Sequence, residues 1–381
     1  MTGQANSSTH PLLPPTSEDD RLDWLRLLRS RRVGVSTFYR LMADHGTARA
    51  ALAALPEVAA AAGVEGYKIC PEGVVLAEWK SARMARARLI CRGEAGYPTA
   101  LADLADAPPM LWAVGDPALL MRPMVALVGA RNASSLGTRM ARALAQGLGE
   151  AGFVIVSGLA RGIDTAAHMA SLGTGTIAVL GGGVDVLYPS ENAKLAEDMV
   201  HAGGLRLSEQ PMGLQPQARH FPARNRIISG LAQATVVVEA AAKSGSLITA
   251  RCALDQGREV LAVPGHPFDA RAGGCNMLIR DGARLVRSAE DVIEALPPVD
   301  APAPQPVLDL PEPAARPAKP LPDTARLHRA ILERLGPSPM AEDQLIRDMD
   351  APAHHLGPAL TDLELAGQIT RQPGGLLART V

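Results

Sequence analysis

Short apolar runs rich in β-branched residues alternate with helical patterns through the middle of the chain. The runs are Met124–Val128, Phe153–Val156, Thr176–Leu180, Thr235–Val238 and Val260–Val263. Strands separated by helices need crossover connections, which make neighbouring strands parallel and cover both faces of the sheet. The pattern therefore predicts a doubly wound α/β domain with a mostly parallel sheet. Ligands of such sheets bind beyond the carboxyl ends of the strands, where this chain collects small residues and arginines.

The rest of the 381-residue chain divides around this region. Residues 1–17 are rich in Ser, Thr and Pro, which predicts a disordered tail, and a helical pattern predicts a small helical domain over 18–92. Residues 93–296 hold the extended α/β domain, whose first part reads as loops and one short strand. Ten prolines within residues 297–322 predict a semi-extended linker.

Residues 323–381 are predicted to form a winged-helix-like domain, because helical segments precede a β-hairpin. The segments are 325–335, 341–349 and 358–366, and the hairpin turns at Gly374-Gly375. The last helix carries Asp362 and Glu364 and no Lys or Arg. Since a helix that enters a nucleic-acid groove needs cations, we expect it to contact protein or to pack rather than to read a duplex.

Composition excludes several classes of protein. The formal charge is −1, although residues 122–287 hold 17 Lys and Arg against 12 Asp and Glu, which permits a polyanionic partner. The cysteines are too scattered for a disulfide framework or a zinc site, so we expect a reduced, cytoplasmic protein without a metal. Neither a secretory signal nor an apolar stretch of spanning length is visible, so no membrane partner is expected.

Small residues follow the first two strands of the α/β domain. The first loop places Gly129 and Arg131 before a helix that starts near Ser135, where backbone amides can approach an anion. The glycine spacing differs from the dinucleotide fingerprint, and the acid that would hold a ribose is missing. Where the fingerprint would place that acid, at the end of the second strand, this chain has Ser157 and Gly158. No nicotinamide or other cofactor is therefore expected.

The second loop, which includes Arg161, also contains an acid and a histidine. Asp164 is predicted to cap the following helix, and His168 lies one turn later on the same face. The pair suggests acid–base catalysis, but no Ser or Cys is marked as its nucleophile. We favour a structural role for both residues.

The central segment from 219 to 226 has the most specific composition. It comprises Arg219, His220, Phe221, Arg224, Asn225 and Arg226. Arginine forks suit phosphates, and an aromatic ring among them can stack a base. The alternative is a salt-bridged helix start, with Glu209 or Glu239 as partners.

Two further turns lie at the same predicted sheet edge. Gly182 sits in a run of glycines that permits backbone approach to a ligand or close packing. Tyr188 could stack a base, Lys194 could neutralise a phosphate, and Lys243 and Ser244 open another amide-rich turn onto a helix. The alternative without a ligand is that these residues pack in the fold or are solvated at its surface.

These motifs together resemble the DNA-processing protein A family, also called DprA or Smf. The matching stretches are Gly129–Arg131, Ser157–His168, Phe221–Leu231, Lys243–Ala250 and Pro264–Gly265. The resemblance implies a Rossmann-like core that binds single-stranded DNA. It also implies a homodimer that loads the RecA recombinase onto incoming strands during natural transformation. The family's usual helical N-terminal and winged-helix C-terminal modules match the flanking regions.

The family's anion pocket maps onto Arg131 and the arginines after Phe221, whereas Lys194 rests on electrostatic reasoning alone. The expected DNA-binding residues are Arg131, Ser157, Gly158, Arg161, Gly182, Lys194, Arg219, His220, Phe221, Arg224, Asn225, Arg226, Lys243 and Ser244. The N-terminal hairpin near Gly34 departs from the family pattern because it has a single glycine. We favour packing over DNA contact there.

Three classes of function stay open at this point. The first is a non-catalytic single-strand binder and recombinase loader, which we favour. The second is a nucleotide-processing hydrolase, for which Glu239 would be the acid. The third is a module that senses a small nucleotide. For the dimer, the consecutive apolar residues Met277, Leu278 and Ile279 are the expected contact, because one helix face cannot bury all three.

Overall fold

The computed structural model describes residues 12–296, 324–336, 338–349, 353–372 and 375–380. The described residues up to 296 form one compact unit, and those from 324 onward form a second. Most of the predicted tail and all of the predicted linker lie outside the described residues. Among the described residues, no helix combines the length and the apolar character needed to cross a membrane.

The N-terminal region folds into helices that share an apolar core. These are α1 (Glu18–Arg29), α2 (Val35–His45), α3 (Ala48–Ala61) and α4 (Glu72–Met84). The α1–α2 hairpin turns its Val33 side chain into this core, together with Trp24 and Phe38. The end of the predicted helical domain, residues 18–92, is not helical, because Arg88–Cys91 form the first strand of the sheet.

Within the described part of the first unit, nine strands form one sheet, ordered β1-β2-β6-β5-β4-β3-β7-β8-β9. They are β1 (Arg88–Cys91), β2 (Met110–Gly115), β3 (Met124–Val128), β4 (Val154–Ser157), β5 (Thr176–Val179), β6 (Leu205–Ser208), β7 (Ala234–Val237), β8 (Glu259–Ala262) and β9 (Arg284–Leu285). All pairs from β6 across to β9 are parallel, whereas β2 pairs antiparallel with both β1 and β6. The chain moves outward from β3 to β6 and then returns to the other side of β3 at β7. The strand order therefore reverses between β3 and β7, where doubly wound sheets bind ligands.

Helices cover both faces of this sheet. They are α5 (Thr99–Ala102), α6 (Ser135–Glu150), α7 (Ile163–Ala170), α8 (Ala193–His201), α9 (His220–Leu231), α10 (Ser246–Asp255), α11 (Gly273–Arg280) and α12 (Ala289–Ala295). Val125 and Leu127 of β3 join a core cluster with α6, α7 and α12. Ala126 and Val128 point to the opposite face and join a cluster with α9, α10 and α11. This alternation is the side-chain period of a strand buried on both faces.

The predicted doubly wound architecture is confirmed. Each of the five predicted strands is present, displaced by at most one residue at either end. β6 was not predicted, because Arg206 interrupts a run of only four residues. The short edge strand β9 was not predicted either, and both of its residues are exposed.

The second unit has the predicted winged-helix arrangement. Its elements are α13 (Thr324–Arg334), β10 (Met340–Ala341), α14 (Glu342–Asp348), α15 (Ala353–Leu365), β11 (Ile369–Gln372) and β12 (Leu376–Arg379). The strands form an antiparallel sheet in the order β10-β12-β11. Of the acids on α15, Asp362 lies 4.0 Å from His328 and Glu364 lies 3.6 Å from Arg371. Part of the predicted turn, at residue 374, lies outside the described residues.

Candidate nucleic-acid interface

A cavity of about 890 Å³ opens at the carboxyl ends of β3 and β7. Its walls are the turn after β3, residues 128–132, one face of α9, and the turn after β7 with the start of α10, residues 241–249. The α9 residues that line it are Phe221, Pro222, Arg224, Asn225 and Ile228. Apart from Pro222 in the first turn, they are spaced by three and four positions, so they share one face of the helix. The cavity therefore lies at the point where the strand order reverses.

Phe221 lies close to two guanidinium groups in this cavity. The guanidinium carbon of Arg131 is 5.2 Å from the centre of the Phe221 ring, and that of Arg224 is 5.8 Å away. Both distances are within the range in which a cation is attracted to an aromatic face. Tyr188 adds a second ring, 6.0 Å away and tilted by 37°. The arrangement offers an aromatic surface for a base beside cations for its phosphate.

Arg224 is the most constrained cation of the cavity. It is buried, and its Nε has no hydrogen-bond partner among the described residues. Burial lowers the pKa of its guanidinium to about 10, an effect that Asp164 opposes and Arg131 reinforces. The group therefore stays charged at neutral pH. Gly158 leaves the space that the guanidinium occupies, since a Cβ built on Gly158 would overlap with it.

Asp164 and His168 hold the second loop in place. The Asp164 carboxylate accepts hydrogen bonds from the amides of Gly158 (3.1 Å) and Ala160 (3.2 Å). The predicted helix cap is therefore wrong: Asp164 lies inside α7 and caps the preceding loop, whose amides would otherwise lack partners. The His168 Nε2 accepts from the Leu159 amide at 3.3 Å, and burial lowers its pKa to about 3. These contacts give both residues the structural role that we favour.

The turn after β7 supplies the opposite wall. Lys243 is exposed and Ser244 half-buried there, and both line the cavity. The Asn225 side-chain amide donates to the Gly245 carbonyl at 3.5 Å, which links α9 to this turn. Arg271, from the loop after β8, also lines the cavity although it was not predicted. The lining thus carries Arg131, Arg224, Lys243 and Arg271 against the single acid Asp164.

A smaller cavity of about 320 Å³ adjoins the first. It shares Arg131, Phe221 and Arg224 with the larger cavity, and it adds Gly158 and Arg161. The Arg161 guanidinium is largely exposed and lies 3.6 Å from the Glu191 carboxylate. Arg131, Gly158 and Arg161 of the first two loops therefore meet Phe221 and Arg224 of α9 at one continuous surface.

The remaining arginines of the central segment lie outside both cavities. The Arg226 Nη2 donates to the Glu209 carboxylate at 2.6 Å, and its Nε lies 3.6 Å from Asp106. Arg219 is exposed, and its Nε donates to the Nε2 of the buried His220 at 3.3 Å. For Arg226, the alternative of a salt bridge to Glu209 is the one that the structure shows. DNA contact by Arg219 and His220 stays a prediction.

Three other predicted residues also lie away from the cavities. The Ser157 hydroxyl donates to a backbone carbonyl of β3 at 2.6 Å. Gly182 permits close packing, because a Cβ there would lie 2.5 Å from the Leu214 carbonyl oxygen. Lys194 is exposed and forms an ion pair of 2.9 Å with Asp198, one turn along α8. The structure gives none of the three a place in the cavity lining.

Glu239 accepts hydrogen bonds at the start of α6. Its carboxylate accepts from the Ser134 amide at 3.0 Å and from the Ser134 hydroxyl at 2.5 Å. Arg271 lies 3.9 Å from the same carboxylate. Glu239 therefore stabilises the amino end of a helix. Within the described residues, no group of three or more His, Cys, Asp or Glu side chains is placed to hold a metal ion.

Family comparison agrees with the motifs. The model described as DNA recombination-mediator protein A matches residues 88–297, more than half of the chain. The chain belongs to the DprA family. Models of the DprA-like N-terminal HHH domain and of the DprA winged helix domain match residues 18–81 and 312–375. The family indicated by the sequence is confirmed, and so are the two flanking modules.

Two curated relatives align with half or more of this chain. DNA processing protein DprA of Streptococcus pneumoniae strain R6 is 50% identical over 199 residues, which cover 52% of this chain and 70% of the relative. Protein Smf of Escherichia coli K12 is 40% identical over 288 residues, 73% of this chain and 74% of the relative. Both are family members with the same core.

Solved structures of two family members resemble this fold. The X-ray structure of DprA from Streptococcus pneumoniae has a TM-score of 0.53 at 37% identity, covering 70% of this chain and 99% of the other. A structure of DprA from Helicobacter pylori, concerned with its single-stranded DNA binding mode, has a TM-score of 0.50 at 30% identity. That comparison covers 55% of this chain and 96% of the other.

Proposed function

We propose that this protein binds single-stranded DNA in the cavity between β3 and β7. The observation that carries the proposal is the Phe221 ring with the guanidinium groups of Arg131 and Arg224 both within 6 Å of its centre. An aromatic ring beside cations serves any base and any phosphate, which suits binding without sequence preference. The single-stranded DNA binding mode described for the Helicobacter pylori relative supports the same ligand class.

Phosphates contribute more to this binding than bases do. The chain has 11 aromatic residues in all, whereas the cavity lining alone carries Arg131, Arg224, Lys243 and Arg271. Each neutralised phosphate of a single strand lowers the log–log salt slope by about 0.7. Affinity therefore falls steeply as salt is added.

We further propose that the protein binds without cleaving. A nucleotide hydrolase needs an acid or base that faces its substrate. Glu239, the acid that the sequence suggests for such an enzyme, instead accepts hydrogen bonds from Ser134 and is absent from the cavity lining. Asp164 does line the cavity, but its carboxylate accepts two loop amides.

Loading of RecA by a homodimer is the finer part of the proposal, and membership of the DprA family supports it. Met277, Leu278 and Ile279 are all half-buried, and Leu278 and Ile279 pack against the main core. The nearby edge strand β9 exposes Leu285 to 44%. We place the two-fold contact along Met277 and Leu285, which leaves the cavity open to DNA.

The decisive experiment measures fluorescence anisotropy of labelled single-stranded and double-stranded oligonucleotides over a range of salt concentrations. We expect single-strand affinity to fall steeply with salt. Arg131→Ala should weaken it and make the salt slope shallower by about 0.7, the value for one phosphate. Arg139→Ala, which removes an exposed arginine of α6 outside the cavity lining, should change neither. Salt-independent affinity would contradict the proposal.

A parallel assay tests the competing enzyme. The protein is incubated with nucleoside monophosphates, and release of base or phosphate is measured. Release that Glu239→Gln abolishes would favour the hydrolase over the binding protein. Sedimentation of the protein as a monomer at micromolar concentration would remove the dimer from the proposal.

A further inference from the structure

Phe268 is an unusually exposed aromatic residue for a folded protein. Its side chain is 95% exposed, the highest value among the large apolar residues that the structure describes. The ring does not stand alone, because the His266 ring lies 5.5 Å away, tilted by 39°. Together the two rings form a small aromatic surface on the loop after β8, which we name the 266/268 platform.

The loop holds this platform outward instead of letting it fold against the core. The Asn276 side chain bonds both backbone groups of Gly265, at 3.1 and 3.0 Å. The amide of Phe268 donates to the His266 ring at 3.3 Å, and the amide of Asp269 donates to the His266 carbonyl at 2.9 Å. Because both ends are fixed, exposure of the ring is a property of the ordered loop.

A single exposed apolar side chain is common on protein surfaces, so position decides whether this one matters. The same loop continues to Arg271, which lines the large cavity. β8 lies next to β7, whose turn forms one wall of that cavity. A strand that leaves the cavity on this side therefore passes over the loop after β8.

The charges of the loop favour a base over a phosphate at this point. Asp269 lies beside the platform, and its hydrogen bonds from Arg271 lower the pKa of its carboxyl. Because Arg271 neutralises this carboxylate, the pair offers a phosphate no net attraction, whereas every base offers a face for stacking. The phosphates of the same strand meet their cations in the cavity.

We propose that His266 and Phe268 form a stacking platform for a nucleobase of the single strand, beyond the cavity on the β8 side. This inference rests on the proposed function, because it extends the path of the same DNA. A second copy of the chain is the competing occupant, since α11 follows the loop directly.

The test compares Phe268→Ala, Phe268→Trp and the control Leu254→Ala, which removes a 59% exposed side chain of α10 outside the cavity lining. Affinities are measured with oligothymidylates of stepwise increasing length and with abasic strands of the same lengths. Loss of one stacked base should weaken binding about five-fold or more for Phe268→Ala, once the strand is long enough to reach the loop. Phe268→Trp and the control should bind like the wild type, and the abasic strand should remove the difference between Phe268→Ala and wild type.

Indole emission of the Phe268→Trp variant gives a second readout that no loss of folding can imitate. After subtraction of the wild-type signal, the emission of the introduced ring should be quenched by the normal strand and not by the abasic one. Equal affinity of Phe268→Ala and wild type on every length overturns the platform while the cavity stands. Two results would instead assign this surface to a second copy of the chain and overturn the platform. The emission of Trp introduced by Phe268→Trp would change with protein concentration in the absence of DNA, and Phe268→Ala would sediment as a smaller species than the wild type. If the wild type binds no single strand, the proposed function fails as well.

Discussion

A single methyl group at Gly158 should weaken DNA binding by displacing the Arg224 guanidinium. A Cβ built on Gly158 overlaps with Nη1 and Cζ of Arg224 and lies 2.8 Å from Nη2. The backbone of Gly158 is outside the left-handed region, so alanine fits there without backbone strain. The three nearest atoms all belong to the arginine, so the clash falls first on its guanidinium.

The size of the effect follows from that clash. To restore van der Waals contact at about 3.5 Å, the guanidinium has to move by about 2 Å. Such a shift breaks a charge-assisted hydrogen bond to a phosphate, which contributes about 1.5–3 kcal/mol. Gly158→Ala should thus weaken single-strand binding by roughly 10- to 150-fold, since about 1.4 kcal/mol is a factor of ten.

The assay is a double-mutant cycle of Gly158→Ala and Arg224→Ala, read by anisotropy with a single-stranded oligonucleotide. Once Arg224 is truncated, the added methyl should cost nothing further. Gly173→Ala is the matched control, because a Cβ there has nothing within 4 Å and no positive φ to strain. Two results would contradict this account of the guanidinium. Gly158→Ala would bind single-stranded DNA like the wild type, or it would lower the affinity of the Arg224→Ala variant as much as that of the wild type.

Three further predictions concern stability. Glu78→Ala should lower the free energy of unfolding by about 3 kcal/mol in urea titrations, because it leaves the half-buried guanidinium of Arg29 without its 2.9 Å partner. Between about pH 6.5 and 3, His168 should make the free energy of unfolding fall by up to about 1.4 kcal/mol per pH unit, because the unfolded His168 takes up a proton that the folded one, with a pKa of about 3, does not; a slope equally steep in His168→Gln would contradict this. Arg226→Ala should lower the melting temperature by unpairing Glu209 while DNA affinity stays within two-fold, roughly the additivity error of distant sites; a large loss of affinity would place Arg226 in the interface.

The sequence predicts the centre of the sheet better than its edges. The β-branched runs that become β3, β4, β5, β7 and β8 are buried on both faces, so they read as continuous apolar segments. The flanking strands carry weaker signals. β6 contains Arg206, β9 has only two residues, and β1 follows a helical pattern without a proline or a long loop. Their pairing depends on partners distant in the chain, which local patterns do not contain.

The central segment shows the same limit at the level of single residues. By composition, Arg219, Arg224 and Arg226 form one basic cluster. In α9, however, two positions along the chain point to nearly opposite sides of the helix, so Arg224 faces the cavity and Arg226 faces Glu209. A helical projection from Phe221 would have separated them. Nothing local would have found Arg271, because its loop reaches the cavity only through the pairing of β8 with β7.

The placement of acids is a physical reason for our proposal that this cavity binds rather than cleaves. Asp164 directs its carboxylate to the amides of the second loop, and Glu239 directs its carboxylate to the start of α6. Each acid thereby orders a turn whose neighbouring cation, Arg131 or Arg224, faces the ligand. Both oxygens of Glu239 accept hydrogen bonds from Ser134, so the carboxylate loses them if it turns to take a proton from water, and the turn before α6 would loosen. In Asp164 both amides bond the same oxygen, Oδ2, and the residue is buried beneath the loop that it orders. In our proposal these contacts arrange the cations for a phosphate and tie the acids to the backbone of the cavity walls.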